Sequence, residues 1–193
     1  MKIVLFGGAF DPPHVGHQQI ITHLLQKKIA NQVWLIPTGK HQFAKNMTDS
    51  DLRIEMLEML VESFPKKIKQ KIKLEKCEIE RQGVSQTYDT LKQLSKKYPQ
   101  HDLSWIIGAD NLGKFHLWDN YQQMTKEYKF YVYPRFNCLM KPLCAGMVPL
   151  DGVDQVKASS TTIRQRVKTG QSIDSLVTPE IRKFINQEYL YLA

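Results

Sequence analysis

The sequence predicts an α/β fold, a doubly wound parallel sheet in a single domain, and three observations carry that prediction. Residues 2–6 (KIVLF) are a short apolar run stopped by Gly7-Gly8, the pattern of a parallel strand buried on both faces. After Pro12-Pro13, the apolar residues Ile20, Ile21, Leu24 and Leu25 recur at helical spacing, which predicts an amphipathic helix over residues 15–28. Residues 32–36 (QVWLI) then form a second apolar run, closed by Pro37. A strand, a glycine-containing loop, a helix and a strand in that order begin a Rossmann-like sheet.

The remaining elements follow in turn. Residues 48–64 read as a helix, with Thr48 and Asp51 as a capping box, Leu52, Met56, Met59 and Leu60 as its buried stripe, and Pro65 just beyond. A strand is expected within 71–80, a helix at 87–97 and a strand at 102–107 that ends on Gly108. Helix is expected at 112–126, and strands at 129–133 and 146–150. Residues 159–168 read as a helix with Gly170 following it. Thr178-Pro179-Glu180 opens a last helix with an N-cap and an N1 proline. No repeat, low-complexity tract or linker divides the 193 residues, so one domain over 1–193 is expected, with its helical part from about 159 included.

Composition narrows the class. Apolar residues make up 42% and charged residues 24%, the balance of a soluble globular chain. No apolar run approaches the ~20 residues that span a bilayer, and the first residues lack a signal-peptide pattern, so no membrane partner and a cytoplasmic location are expected. Cys77, Cys138 and Cys144 form no CxxC pair and no zinc spacing, which fits reduced thiols and no protein-built metal site. The net charge of +8 suits anionic ligands. Much of it lies in 66–73, a lysine run without interleaved aromatic residues, so a nucleic-acid partner is not expected.

The chemistry concentrates in residues 7–17, GGAFDPPHVGH. In a doubly wound sheet, a loop after the first strand lies where ligands bind. Gly7 and Gly8 admit close backbone approach, and the prolines hold His14 in place. Gly16 and His17 fall in the first helical turn, whose free N–H groups and dipole favour an anion. His14 and His17 are three residues apart and can face one phosphate chain. There is no GxGxxG after the first strand and no GxxxxGK[ST], which disfavours nicotinamide-dependent dehydrogenases and P-loop kinases. A second set, Ser159-Ser160-Thr161-Thr162-Ile163-Arg164, opens a late helix. Its hydroxyls, first-turn amides and Arg164 fork can bind phosphate oxygens, or the serines can act as an ordinary N-cap.

GGAFDPPHVGH resembles the G-x-F-D-P-x-H-x-G-H signature of the HxGH nucleotidyltransferase superfamily, and residues 159–164 resemble its SSTxIR motif. The stretch Glu78 to Leu91 resembles the E-x-x-R-x-G-x-S-Y-T-x-D-T-L segment of bacterial nicotinate-nucleotide adenylyltransferases, with Gln86 in place of the tyrosine. Gly108-Ala109-Asp110 is similar to that family's GxD, and Phe115-His116-Leu117-Trp118 to its FHKW. The resemblance implies a HUP-type sheet that transfers AMP from ATP to nicotinate mononucleotide, giving deamido-NAD and pyrophosphate, with Mg²⁺ accompanying ATP. It implies His14, His17 and Arg164 as the catalytic set. Gly7, Gly8, Phe10, Gly16, Gly108, Asp110, Ser160 and Thr161 would bind ATP. Lys45, Thr87, Trp118 and Arg135 would bind the acceptor, and a homodimer is compatible with the family.

Some positions keep two readings. Trp118 can stack on a pyridine ring or pack in the core, and Asp110 can meet the ribose, orient magnesium or cap a helix. The family's PPHK is here Gly39-Lys40-His41-Gln42-Phe43-Ala44-Lys45, so Lys40, His41 and Lys45 stay open as alternatives for the contact to the triphosphate. Its W-x-x-W ending is Trp118-Asp119-Asn120-Tyr121 and its R-P-G element is Tyr133-Pro134-Arg135-Phe136. These departures keep nicotinamide mononucleotide and phosphopantetheine open as acceptors. A non-catalytic nucleotide- or RNA-binding relative is the reading from another class.

Overall fold

The computed structural model describes residues 1–40, 47–81, 83–154 and 158–192. Six strands, β1 (Lys2–Gly8), β2 (Gln32–Pro37), β3 (Ile72–Leu74), β4 (Asp102–Gly108), β5 (Lys129–Tyr133) and β6 (Met147–Pro149), form one sheet in the order β3-β2-β1-β4-β5-β6. Every pairing is parallel. The helices are α1 (Val15–Gln26), α2 (Ser50–Glu62), α3 (Lys66–Lys69), α4 (Cys77–Glu80), α5 (Thr87–Lys97), α6 (Tyr121–Glu127), α7 (Ser160–Lys168) and α8 (Pro179–Gln187), with a 3₁₀ segment at Ala109–Leu117.

The period-2 geometry of β1 explains the layering. Val4 and Phe6 face one side, into a core with Ile21 and Leu24 of α1, Met56 and Leu57 of α2, and Ile181 of α8. Ile3 and Leu5 face the other, with Trp34, Trp105, Leu91 and Leu94 of α5, and Phe115. Because both faces are covered, a continuous apolar strand is stable there and would not be on an open sheet. Each fully buried aliphatic side chain of this kind contributes about 1.5–3 kcal/mol.

Two sequence expectations are corrected, and a third is made finer. The helix expected from Thr48 starts at Ser50, and its cap is Asp49, whose carboxylate accepts from the Asp51 N–H at 2.9 Å. The strand expected within 71–80 is β3, and Cys77–Glu80 after it is a helical turn. That turn buries the Glu78 carboxylate, which accepts from Thr90 Oγ1 at 2.8 Å, a long-range contact with no local signature. The helix expected at 112–126 is divided: the 3₁₀ segment ends at Leu117, and Asn120 takes the left-handed conformation (φ 53°) before α6 begins.

Candidate active site

The chain runs β1 to β2 to β3 outward, then returns to lay β4 against the other side of β1. Loops leaving the carboxyl ends of β1 and β4 therefore diverge to opposite faces and leave a crevice between them. A cavity of about 340 Å³ opens there. Of the residues picked out by sequence, Gly7, Gly8, Phe10, His14, His17, Thr87, Gly108, Asp110, Trp118, Arg135 and Ser160 line it, while Gly16, Thr161 and Arg164 do not. Lys45 and His41 lie outside the described residues.

The two histidines line the cavity at the start of α1. His14 is the N-cap of α1: its Nδ1 accepts from the Gly16 N–H at 3.1 Å, and His17 Nδ1 accepts from the His14 N–H at 3.0 Å. A backbone N–H can only donate, so both Nδ1 atoms carry lone pairs. In each neutral ring the proton then sits on Nε2. The H-x-G-H spacing is thus a capping box that leaves two Nε2–H donors, with the rings stacked at 3.8 Å between centroids. Phe6 and Phe10 set their rings against His17, at 5.5 and 4.9 Å.

Both imidazoles resist protonation. Burial, then the Arg135 charge, lowers His14 to about 3. Burial, the neighbouring His14 and Arg135 hold His17 well below its ordinary 6.5. A proton on either Nδ1 would also displace a capping bond. Stability consequently depends on acid in a defined direction. Below pH 6.5 the unfolded chain takes up protons at these histidines and the folded chain does not, so stability falls as pH drops, by up to about 1.4 kcal/mol per pH unit for each ring. Thermal melts between pH 8 and pH 5 should show this slope. His14→Asn, whose Oδ1 can keep the cap, should be flatter by about half; equal slopes would remove the histidines as its origin.

The glycines also answer to packing. A Cβ on Gly7 would land inside the indole of Trp105, so that glycine makes room for the neighbouring strand's side chain. Gly8 is free of such contact: a Cβ there would meet only the Phe10 ring, at 3.6 Å. Gly16 gives its N–H to His14. At Gly108 a Cβ would collide with the Asp110 carboxylate and crowd Arg135 and Tyr133. Its absence lets Arg135 Nε approach Asp110 Oδ1 at 3.5 Å.

The opening loop is held from behind, in part by Arg53 and Tyr191, which sequence reading did not single out. Arg53 of α2, 2% exposed, donates to Ala9 O (2.8 Å) and Thr48 O (2.9 Å). The buried Asp11 carboxylate accepts from the Thr48 N–H (3.1 Å) and Tyr191 O–H (2.6 Å). Helix α7 docks on the same loop: Arg164 Nη1 donates to Asp11 O (2.7 Å) and Ser160 Oγ to Pro12 O (2.9 Å). Ser159 caps α7, its hydroxyl accepting from the Thr162 N–H, so the serine pair divides capping from docking. An arginine near the start of α2, 44 positions from Ala9, carries no sequence signal of this role.

At the other end, Trp118 leans on Phe115 (5.2 Å between centroids) and also lines the cavity, so its two readings combine. Thr87 is the first residue of α5, and its N-cap Gln86 makes no side-chain bond to the first-turn amides. With its amide oriented to donate, Gln86 reaches Asp89 Oδ2 (3.3 Å) and Asp119 Oδ2 (3.1 Å). Gln86 therefore ties α5 to the residue after Trp118. The Gly39 N–H donates to Ser85 Oγ (3.0 Å), and Ser85 N–H to Lys40 O (2.9 Å), joining the loop after β2 to this wall.

The sequence model of the cytidylyltransferase-like family matches residues 5–166, and the chain belongs to that family. A nicotinate-nucleotide adenylyltransferase of Bacillus subtilis is 33% identical over 98% of both chains. A probable nicotinate-nucleotide adenylyltransferase of Flavobacterium psychrophilum is 31% identical over 99% of both. The structure of Plasmodium falciparum nicotinic acid mononucleotide adenylyltransferase complexed with NaAD superposes with a TM-score of 0.85 at 20% identity, covering 98% of this chain and 97% of its own, and shares the fold. Within its family the chain is a member of the nicotinate-nucleotide adenylyltransferase group.

Proposed function

We propose that the chain transfers AMP from ATP to nicotinate mononucleotide, giving deamido-NAD and pyrophosphate. The observation that carries this reading is a single cavity with two neutral Nε2–H donors at one end and an indole beside an uncapped helix start at the other. The acceptor's phosphate oxygen attacks the α-phosphorus of ATP in line. One P–O bond forms, the bond to the bridging oxygen breaks, and pyrophosphate leaves with that electron pair. The nucleophile is ionised at neutral pH, so positioning and charge stabilisation do the work and no general base is needed.

His14 and His17 donate to the α- and β-phosphates without the hydration cost of an ammonium group. Arg135 is the only Lys or Arg among the described cavity-lining residues. Its charge reaches both histidines, which supports a role at the phosphates and moves it from the acceptor end. Ser160 faces the departing pyrophosphate, and Arg164 acts there through the loop it holds. No three His, Cys, Asp or Glu side chains gather as a metal cage among the described residues. Magnesium would enter on the phosphate oxygens of ATP, with the Asp110 carboxylate in the cavity wall. Trp118 stacks on the pyridine, and the first-turn amides of α5 meet its carboxylate. No helix among the described residues is long and apolar enough to cross a membrane; ATP as substrate and three unpaired cysteines favour the cytoplasm.

Pyrophosphate release from ATP, measured with nicotinate mononucleotide, nicotinamide mononucleotide and phosphopantetheine in parallel, tests the reading. The acid form should give the highest kcat/KM, at least about tenfold above the amide, because one charged hydrogen bond at a helix start is worth about 1.5–3 kcal/mol. Turnover with phosphopantetheine alone, or with none of the three, sinks it.

A further inference from the structure

Phe10 sits in the left-handed backbone region, at φ 49°. A bulky side chain is strained there and persists only where its surroundings impose it. The surroundings are Arg53, which holds the carbonyl of Ala9 before it, and the Asp11 carboxylate after it. Asp11 does not line the cavity. Its two oxygens are turned into the protein, Oδ2 to the Thr48 N–H and Oδ1 to the Tyr191 hydroxyl at 2.6 Å. Tyr191 is itself left-handed, at φ 64°, and the exposed Tyr189 two residues earlier is at φ 52°. Two non-glycine residues in this conformation turn the segment after α8 back onto a loop 180 positions away. Burial, and then the Asp11 carboxylate, raises the Tyr191 phenol above its ordinary range, so it stays a proton donor.

We infer that Tyr191 is a positioning residue for the adenylyl-transfer site: its hydroxyl fixes Asp11, Asp11 fixes the left-handed Phe10, and the Phe10 ring sets the orientation of His17. The inference rests on the function proposed above. The chain of contacts is continuous, since the Phe10 ring lies 4.9 Å from the imidazole of His17, which in turn stacks on His14. Tyr191 and Asp11 do not line the cavity, and Phe10 is the first link that does. Loosening Asp11 lets Phe10 relax and turns the Nε2–H donors away from where the transition state's charge develops. The loss therefore falls on kcat more than on KM for ATP.

Tyr191→Phe keeps the ring packed and removes only the hydroxyl. It should lower kcat about tenfold, a shift well within what a misplacement under 1 Å costs, with KM for ATP within about twofold and a Tm near that of the parent. Hydrogen exchange of the amides in residues 9–17 of the free protein should speed up about tenfold, while Tyr189→Phe changes neither reading. In an Asp11→Ala background, Tyr191→Phe should add no further loss. An unchanged kcat with unchanged exchange overturns the inference. So does a kcat loss that tracks only the unfolded fraction, or a full tenfold loss that persists without Asp11. If the parent protein releases no pyrophosphate with any acceptor, the functional reading fails, and the exchange measurement still decides whether Tyr191 holds the loop.

Discussion

His17→Ala is expected to lower kcat for adenylyl transfer about 10²–10³-fold, equivalent to about 2.7–4 kcal/mol of lost transition-state stabilisation. The magnitude comes from removing one preorganised donor in a dry site. Two structural consequences add to it. The His14 N–H loses its acceptor, and the His14 ring loses the surface it stacks on. His17→Asn separates these effects, because an amide oxygen can take the capping position while the Nε2–H donor is gone. The asparagine variant should recover thermal stability but little kcat. A kcat within threefold of the parent for either variant would remove His17 from the chemistry.

Arg53→Met should cost about 3–5 kcal/mol of folding stability, a fall in Tm on the order of 8–15 °C for a chain of this size. Methionine fills much of the volume, so the loss is not chiefly a cavity. The carbonyls of Ala9 and Thr48 lose their donor, and the buried Asp11 loses the nearby positive charge. Burial lowers the guanidinium's affinity for its proton while Asp11 favours the charged form, so arginine stays a cation where lysine would be easier to neutralise. Arg53→Lys should recover only part of the loss. A calorimetric difference under about 1 kcal/mol for the methionine variant would show that the loop does not depend on it. Because Arg53 also flanks Phe10, residual folded protein should have reduced kcat.

The reading from sequence worked best where a local pattern has one physical outcome. The continuous apolar run of β1 requires cover on both faces, and the structure supplies it with α1 and α8 on one side and α5 on the other. Thr178-Pro179 opens α8 as expected, with Thr178 Oγ1 accepting from the Ile181 N–H. Expectations drifted where an element's limits depend on partners far along the chain. The strand expected within 71–80 is limited to Ile72–Leu74, and the chain then turns so that Glu78 reaches Thr90. Thr48 lost the cap to Asp49 because its N–H and carbonyl are held by Asp11 and Arg53.

The H-x-G-H loop shows the same division on a smaller scale. Spacing alone determined that two imidazoles would lie together at a helix start after the first strand, because positions three apart share one face of a helix. Their proton placement followed from that local geometry too, since both backbone donors lie within the motif. Which residues hold the loop in a left-handed turn, which one fills the space left by Gly7, and which cation lines the cavity near the histidines were settled only when Arg53, Tyr191, Trp105 and Arg135 were brought in from other parts of the chain. A helix cap is made of neighbours and is written in consecutive residues. A buried charge network is made of residues whose separation in sequence says nothing about their separation in space, so tertiary packing alone decides it.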